Sequence, residues 1–421
     1  MALNLLIIIN FGLIINSIKG NIIKLHFYKE KKLYKNQIEN IFFTAISTDI
    51  SFGTPSFDIS TEISTDTPYF IVKGSKSKNE YNQEKSSSFD FIKYGNSYEY
   101  NNIYFHAVFF HENFKIDNKI INLITMMNWS KKQVSNNYGL IGLQLYDNKF
   151  NEQNIFINQL YDKGLIKRKM FTLIYENEFK GELIIGDFPH YNYTNLLSDK
   201  KNFTIANNSF ITFGKVWGTN FENIEYGQNG FFVRYLQIKE NIKMAIISNT
   251  IKGIIGSINF KKYVHELYFK RNIEDKSCWI ETVNDDKYYG YICSNDTYIS
   301  RIPTIKFYNK ELNYIFEIEN DELWINYGNL KYFMVFFSNS TQHYWMLGQK
   351  FLEKYPLVFD GENNLIGLYY TEKIKEDNSI KFIFLFLFII FILIIIYLIH
   401  KCFNHPKKKV LDVSIELNNN D

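Results

Sequence analysis

The feature that most constrains this 421-residue chain is the segment Phe382 to Ile399, eighteen consecutive residues without a charge. At about 1.5 Å per residue, such a run is just long enough for a helix to cross a hydrocarbon core of about 30 Å. The residues before it are then expected to fold as a body on one side of a membrane. Lys401 and the cluster Lys407, Lys408 and Lys409 follow, so the positive-inside rule places residues 400–421 in the cytosol as a tail. At the other end an apolar run, Leu3 to Ile15, leads through mostly small or polar residues to Gly20. Residues 1–20 read as a signal peptide, although no Lys or Arg precedes the apolar run; an uncleaved anchor is the alternative. The expectation is a single-pass type I protein of the secretory pathway or cell surface, with its body luminal or extracellular.

About 360 residues lie between these ends, more than one ordinary core accommodates and suited to two lobes of about 170–180. The 47 basic and 44 acidic residues leave a net charge of +3, and the basic ones are dispersed, so nothing suggests a nucleic-acid partner. The bias towards Asn, Ile, Lys, Phe and Tyr reads as the codon usage of an AT-rich genome. Of three cysteines only Cys278 and Cys293 precede the apolar segment. Fifteen residues apart in an oxidising compartment, they are expected to form a disulfide whose loop contributes roughly 3 kcal/mol in the chain-entropy model. Cys402, just inside the membrane, is either a palmitoylation site or an unmodified thiol. Six N-glycosylation sequons, at Asn128, Asn192, Asn202, Asn207, Asn295 and Asn339, are compatible with export.

Short aromatic or β-branched runs predict strands at Ile103 to Phe110, Phe171 to Tyr175, Leu183 to Ile185, Ile305 to Tyr308, Tyr332 to Phe337 and Leu357 to Phe359. One helix is predicted, Ile155 to Lys163, with Gly164 as its stop. The class is therefore mostly β. Phe52-Gly53-Thr54-Pro55, Ser64-Thr65-Asp66 and Leu140-Ile141-Gly142 in the first half find loose counterparts in Ser248-Asn249-Thr250 and Met346-Leu347-Gly348 in the second, which suggests a duplicated lobe.

Several stretches are more specific. Asn137 to Leu143 reads N-Y-G-L-I-G-L; Gln159 to Ile166, Phe171-Thr172-Leu173 and Gly181 to Gly186 follow. Trp345-Met346-Leu347-Gly348-Gln349, Phe351-Leu352, Phe359-Asp360 and Ile366-Gly367 close the pattern. From about Ile41 to Tyr370 the chain resembles the pepsin-like aspartic proteases. That resemblance implies a bilobal, mostly β fold with a central cleft, and a flap whose tip is Tyr94-Gly95. It also supports pairing Cys293 with Cys278, since Cys293-Ser294 and Ile302 to Phe307 resemble the family's cysteine-to-strand passage. The implied organisation is a signal peptide at 1–20, a short segment at 21–40, an N-lobe at 41–205 and a C-lobe at 206–370. A linker at 371–381, the membrane helix at 382–399 and the tail at 400–421 complete it.

The family's reaction needs two carboxylates about 3 Å apart that share one proton, one acting as base for water and the other as acid. Each belongs to a D-T/S-G turn. Counting along the alternation Ile59, Thr61, Ile63, the first position falls on Ser64; in Ala245 to Thr250 the second falls on Ser248. A competing register uses Asp66, but it places Pro68 where Gly is needed and shifts the upstream alternation. Met244 to Phe260 contains no Asp or Glu. A serine hydroxyl neither ionises near neutral pH nor holds the shared proton, and no His is placed to activate it. No metal-ligand spacing and no cofactor motif is present. The first reading is a pseudoprotease that binds an extended polypeptide, or a membrane-protein partner, in the cleft or on its surface. The alternatives are an active endopeptidase built on Asp66 and a structural or adhesive ectodomain, in its plainest form a glycosylated coat protein.

Overall fold

The computed structural model describes residues 22–30, 37–74, 81–100, 103–116, 119–128, 139–144, 152–189, 203–207, 216–226, 238–239, 244–283, 286–299, 301–339, 344–369, 392 and 394–397. The signal-peptide expectation, the tail, Cys402 and the sequon asparagines Asn192 and Asn202 lie outside these residues. So does most of the expected spanning segment: Ile392 and residues 394–397 are helical, and among the described residues no helix is long and apolar enough to cross a membrane.

Among the described residues strands dominate, in three sheets. Six neighbouring strands of the largest, a thirteen-stranded sheet, join the two halves of the chain: Phe203–Asn207, Leu365–Tyr369 and Leu357–Asp360, then Met170–Tyr175, Lys180–Ile185 and Ile23–Glu30. The seam is the antiparallel pairing of Val358 with Thr172 and Phe359 with Phe171. The same sheet continues through Ala45–Phe52, Phe57–Ser64, Gly139–Gly142, Phe70–Lys73 and Lys119–Asn128 to the hairpin Asp90–Tyr100 and Ile103–Ile116 at its edge.

The suggested duplication is present in the hydrogen-bond pattern. Phe57–Ser64 runs parallel to Gly139–Gly142, pairing Ser64 with Gly142. Met244–Ile247 likewise runs parallel to Trp345–Leu347, pairing Ile247 with Leu347. The parallel partners Gly139–Gly142 and Trp345–Leu347 are in turn flanked antiparallel, by Phe70–Lys73 in one half and Ile254–Gly256 in the other. Being covered on both faces, Phe57–Ser64 loses its alternation: Thr61, Glu62, Ile63 and Ser64 are all buried.

The aromatic residues do more than reflect codon usage. Phe52, Phe70 and Phe114 pack edge-to-face or tilted with centroids 4.4–5.8 Å apart in the first half. In the second half Phe269 stacks on Tyr291 at 4.0 Å, and Trp345 meets Phe260 and Phe307. Such pairs add about 0.5–1.5 kcal/mol each beyond the area they bury.

Three expectations need correction. The predicted strand Tyr332 to Phe337 is two strands, Leu330–Phe333 and Val335–Ser338, because the chain bends at Met334 to change partners. The predicted helix is present as Phe156–Asp162, with Gly164 at φ +66° and the Leu165 N–H returning to the Leu160 carbonyl, but it is not alone. Gln37–Phe42, Gln349–Lys354 and a long helical run from Ile258 to Glu274 also occur. That run buries Phe260, Val264 and Phe269, a spacing of four and then five. The five-residue step coincides with a π-helical turn, His265–Phe269, which keeps Phe269 on the buried face and hides the run from a 3.6-residue pattern. The third correction is the hairpin tip: pairing continues through Tyr100 and Ile103, so Tyr94, opposite Val108, lies within the strand.

At the two parallel crossings the backbone leaves no room for a side chain. A Cβ on Gly348 would meet the Gly253 and Ile251 carbonyl oxygens at 2.1 and 2.5 Å, and one on Gly142 would meet the Thr67 oxygen at 2.4 Å. Gly348→Ala is therefore expected to destabilise the fold by roughly 1–3 kcal/mol or more, read as a lower denaturation midpoint.

Candidate functional site between the two central turns

The strands Phe57–Ser64 and Met244–Ile247 deliver two turns, Ser64-Thr65-Asp66 and Ser248-Asn249-Thr250, to the middle of the molecule. Ser64 and Ser248 are both fully buried. Each hydroxyl first serves its own turn: Ser64 Oγ accepts from the Asp66 N–H at 3.1 Å, and Ser248 Oγ from the Thr250 N–H at 3.3 Å. This local bond two residues ahead is a familiar use of serine in turns.

The middle residues of the turns interlock. Asn249 Oδ1 accepts from the Thr65 N–H at 2.8 Å and from Thr65 Oγ1 at 3.1 Å. The Asn249 N–H donates to Thr65 Oγ1 at 3.1 Å, and Asn249 Nδ2 donates to the Ile63 carbonyl at 2.8 Å. Gln349 extends the lattice, its Nε2 donating to the carbonyls of Asn249 at 2.6 Å and Thr44 at 3.0 Å. Thr65 and Asn249 had no assigned role in the sequence. The separation of 184 residues between Ser64 and Ser248 also separates Thr65 from Asn249, and that was the signal for their pairing.

Asp66 reaches this site from the third position of the first turn, without any change of register. Its Oδ2 accepts from Ser248 Oγ at 2.8 Å and from Thr250 Oγ1 at 2.6 Å, while Thr65 Oγ1 lies 3.1 Å from Oδ1. Ser248 and Thr250 are themselves 2.9 Å apart. Part of the residue is exposed, but the carboxyl group is enclosed. Burial pushes it above the ordinary carboxylate value, and the hydroxyls of Thr250, Ser248 and Thr65 pull in the opposite direction. Tyr288 stands close by on the second half, buried against Phe42. Its hydroxyl is pushed up to about 12, mainly by burial and then by Tyr344 and the Asp66 charge.

The other expected residues lie elsewhere. Tyr94 is 79% exposed and packs its ring 5.0 Å from Phe91, with Gly95 next to it in the strand. Cys278 and Cys293 form a disulfide between directly paired strand positions, Cα atoms 4.0 Å apart. Asn295 and Asn339 are exposed in turns, their side-chain amides donating to the Gly328 and Asp286 carbonyls. Asn128 and Asn207 end strands. Among the described residues no group of His, Cys, Asp and Glu could hold a metal ion.

Asn249→Ala would strip partners from the buried Thr65 N–H and Ile63 carbonyl at once. We expect a loss of about 3 kcal/mol in chemical denaturation, at roughly 1–3 kcal/mol for each orphaned group. Because the folded-state pKa of Asp66 is raised, folding binds its proton more tightly. Its contribution to stability is complete below the ordinary 3.8 and is lost as pH rises through the raised value. Asp66→Asn should remove that decline from the stability-versus-pH profile. A search of curated proteins finds no match to this chain. The sequence pattern of the eukaryotic aspartyl proteases, by contrast, matches residues 48–370. Through that match and the duplicated, strand-built halves that meet at Thr65 and Asn249, this chain belongs to the eukaryotic aspartyl protease family.

Proposed function

We propose that this family member is a membrane-anchored pseudoprotease, without peptide hydrolysis, that holds an extended polypeptide between its halves or presents its surface to a membrane-protein partner. One observation carries the reading: among the described residues the two turns bring together a single carboxyl group, and the hydroxyls of Ser248 and Thr250 both donate to its Oδ2. Cleavage by this family's chemistry needs two carboxyls sharing a proton. On this reading Ser64 and Ser248 stand at the two acid positions. Their support is positional: Ser64 ends the strand Phe57–Ser64 and Ser248 directly follows Met244–Ile247, both strands lie beside a parallel partner, and each serine is followed by one member of the Thr65–Asn249 lattice. Asp66 and Thr250 take the third turn positions. Backbone pairing beneath the Tyr94 hairpin remains available to a strand-like ligand. Membrane attachment rests on the eighteen uncharged residues from Phe382 to Ile399.

A second reading is favoured by one fact, that the Asp66 carboxyl lies between the turns and burial raises its affinity for a proton. It makes Asp66 the acid of an unusual endopeptidase. Incubating the full-length chain with a mixed peptide library from acid to neutral pH, with and without a statine-type inhibitor, separates the two. The pseudoprotease reading expects no inhibitor-sensitive cleavage and retention of a peptide or membrane partner on purification. Inhibitor-sensitive cleavage that disappears in Asp66→Ala would establish the second reading instead.

A further inference from the structure

Away from the central turns, basic side chains from both halves converge. Lys29 lies near the end of the strand Ile23–Glu30, Lys252 two residues beyond Thr250, and Lys350 on the helix Gln349–Lys354. Glu353 stands among them: Lys29 Nζ pairs with its Oε1, and Lys350 Nζ lies 3.3 Å from its Oε2. The Lys350 N–H donates to the Lys252 carbonyl at 3.0 Å, fixing those two residues side by side. Lys252 is half-buried, yet among the described residues its ammonium has no hydrogen bond or ion pair. Burial first, then the charges of Lys29 and Lys350, hold that ammonium below the ordinary lysine value, with Glu353 and Glu178 opposing.

A second group is unsatisfied at the same place. Lys29 Nζ sits 5.7 Å from the centre of the Tyr175 ring, and the Tyr175 hydroxyl is buried without a hydrogen-bond partner. Burial and the Glu353 charge both disfavour its ionisation, so it remains a donor. Three ammonium groups face the shared Glu353 carboxylate and, at Lys252, the charge of Glu178, which leaves an excess of one positive charge. An unpaired, half-buried charge and an unpartnered buried hydroxyl each cost free energy that a suitable anion would relieve.

We propose that Lys29, Lys252, Lys350 and the Tyr175 hydroxyl form a binding site for a tetrahedral oxyanion, a phosphate or sulfate group. The excess of positive charge favours an anion, and the rotatable donors of lysine suit a phosphate bound as a point charge. Lys29 and Tyr175 come from the first half and Lys252 and Lys350 from the second, so the bound anion ties the halves together. The site uses neither Asp66 nor the serines and does not depend on whether peptides are cleaved.

The test is calorimetric titration of detergent-solubilised full-length protein with inorganic phosphate and with sulfate, at ionic strength held constant with chloride. Saturable binding of both is expected, weakened at least tenfold in Lys252→Met and several-fold in Tyr175→Phe. Without anion, Lys252→Met should unfold no earlier than the parent, since it removes an unpaired charge. Vesicles with and without phosphatidic acid form a second arm: tighter binding to the phosphatidic acid vesicles than to inorganic phosphate assigns a lipid headgroup, and the reverse order a free anion. Heats indistinguishable from chloride, or phosphate binding undiminished in both variants, would overturn the proposal.

Discussion

The reciprocal hydrogen bonding of Thr65 and Asn249 is the constraint on which the rest of the molecule depends. Three bonds join two turns 184 residues apart and a fourth runs from Asn249 to the Ile63 carbonyl, all at fully buried positions where an unmade bond is expensive. Both strands that lead into the turns are therefore held in register, and so are the parallel partners at Gly142 and Leu347. Gln349 adds a third anchor by joining the Asn249 backbone to Thr44. A side-chain amide in place of a hydroxyl gives the lattice an extra donor, which Asn249 spends on the Ile63 carbonyl.

Once the turns are fixed, the chemistry at their meeting point follows from which groups face one another. The serine oxygens accept from their own turns. Asp66 bridges to Ser248 and Thr250, making a direct link between the halves where a pair of carboxyls would be needed to activate water. That link explains why a buried acid is tolerated: three hydroxyls offset much of the cost of removing the carboxyl from water.

Much of this was legible in the sequence, and the failures have physical causes. The strand runs Phe171 to Tyr175 and Leu357 to Phe359 and the helix ending at Gly164 have strong local signals, and each occurs. The helical run from Ile258 was missed because a π turn breaks its period, and Tyr332 to Phe337 was read as one strand because a bend at Met334 leaves no mark in hydrophobicity. The hairpin tip was placed at Tyr94-Gly95, yet backbone pairing carries on to Tyr100, which depends on the partner strand. Asp66 was considered only as a register alternative. Its reach across to Ser248 is a contact between residues 182 apart, invisible to any local pattern.

The sequence by itself determined the class, the duplication and the disulfide, because strand periodicity, glycine turns and residue identity are local properties. Only the tertiary structure decided that Thr65 pairs with Asn249, that Asp66 is the carboxyl shared by both turns, and that Lys29, Lys252 and Lys350 crowd around Glu353. Those outcomes depend on which distant groups are brought within about 3 Å and removed from water, and hydrogen bonds and charges acquire their full weight only after that removal.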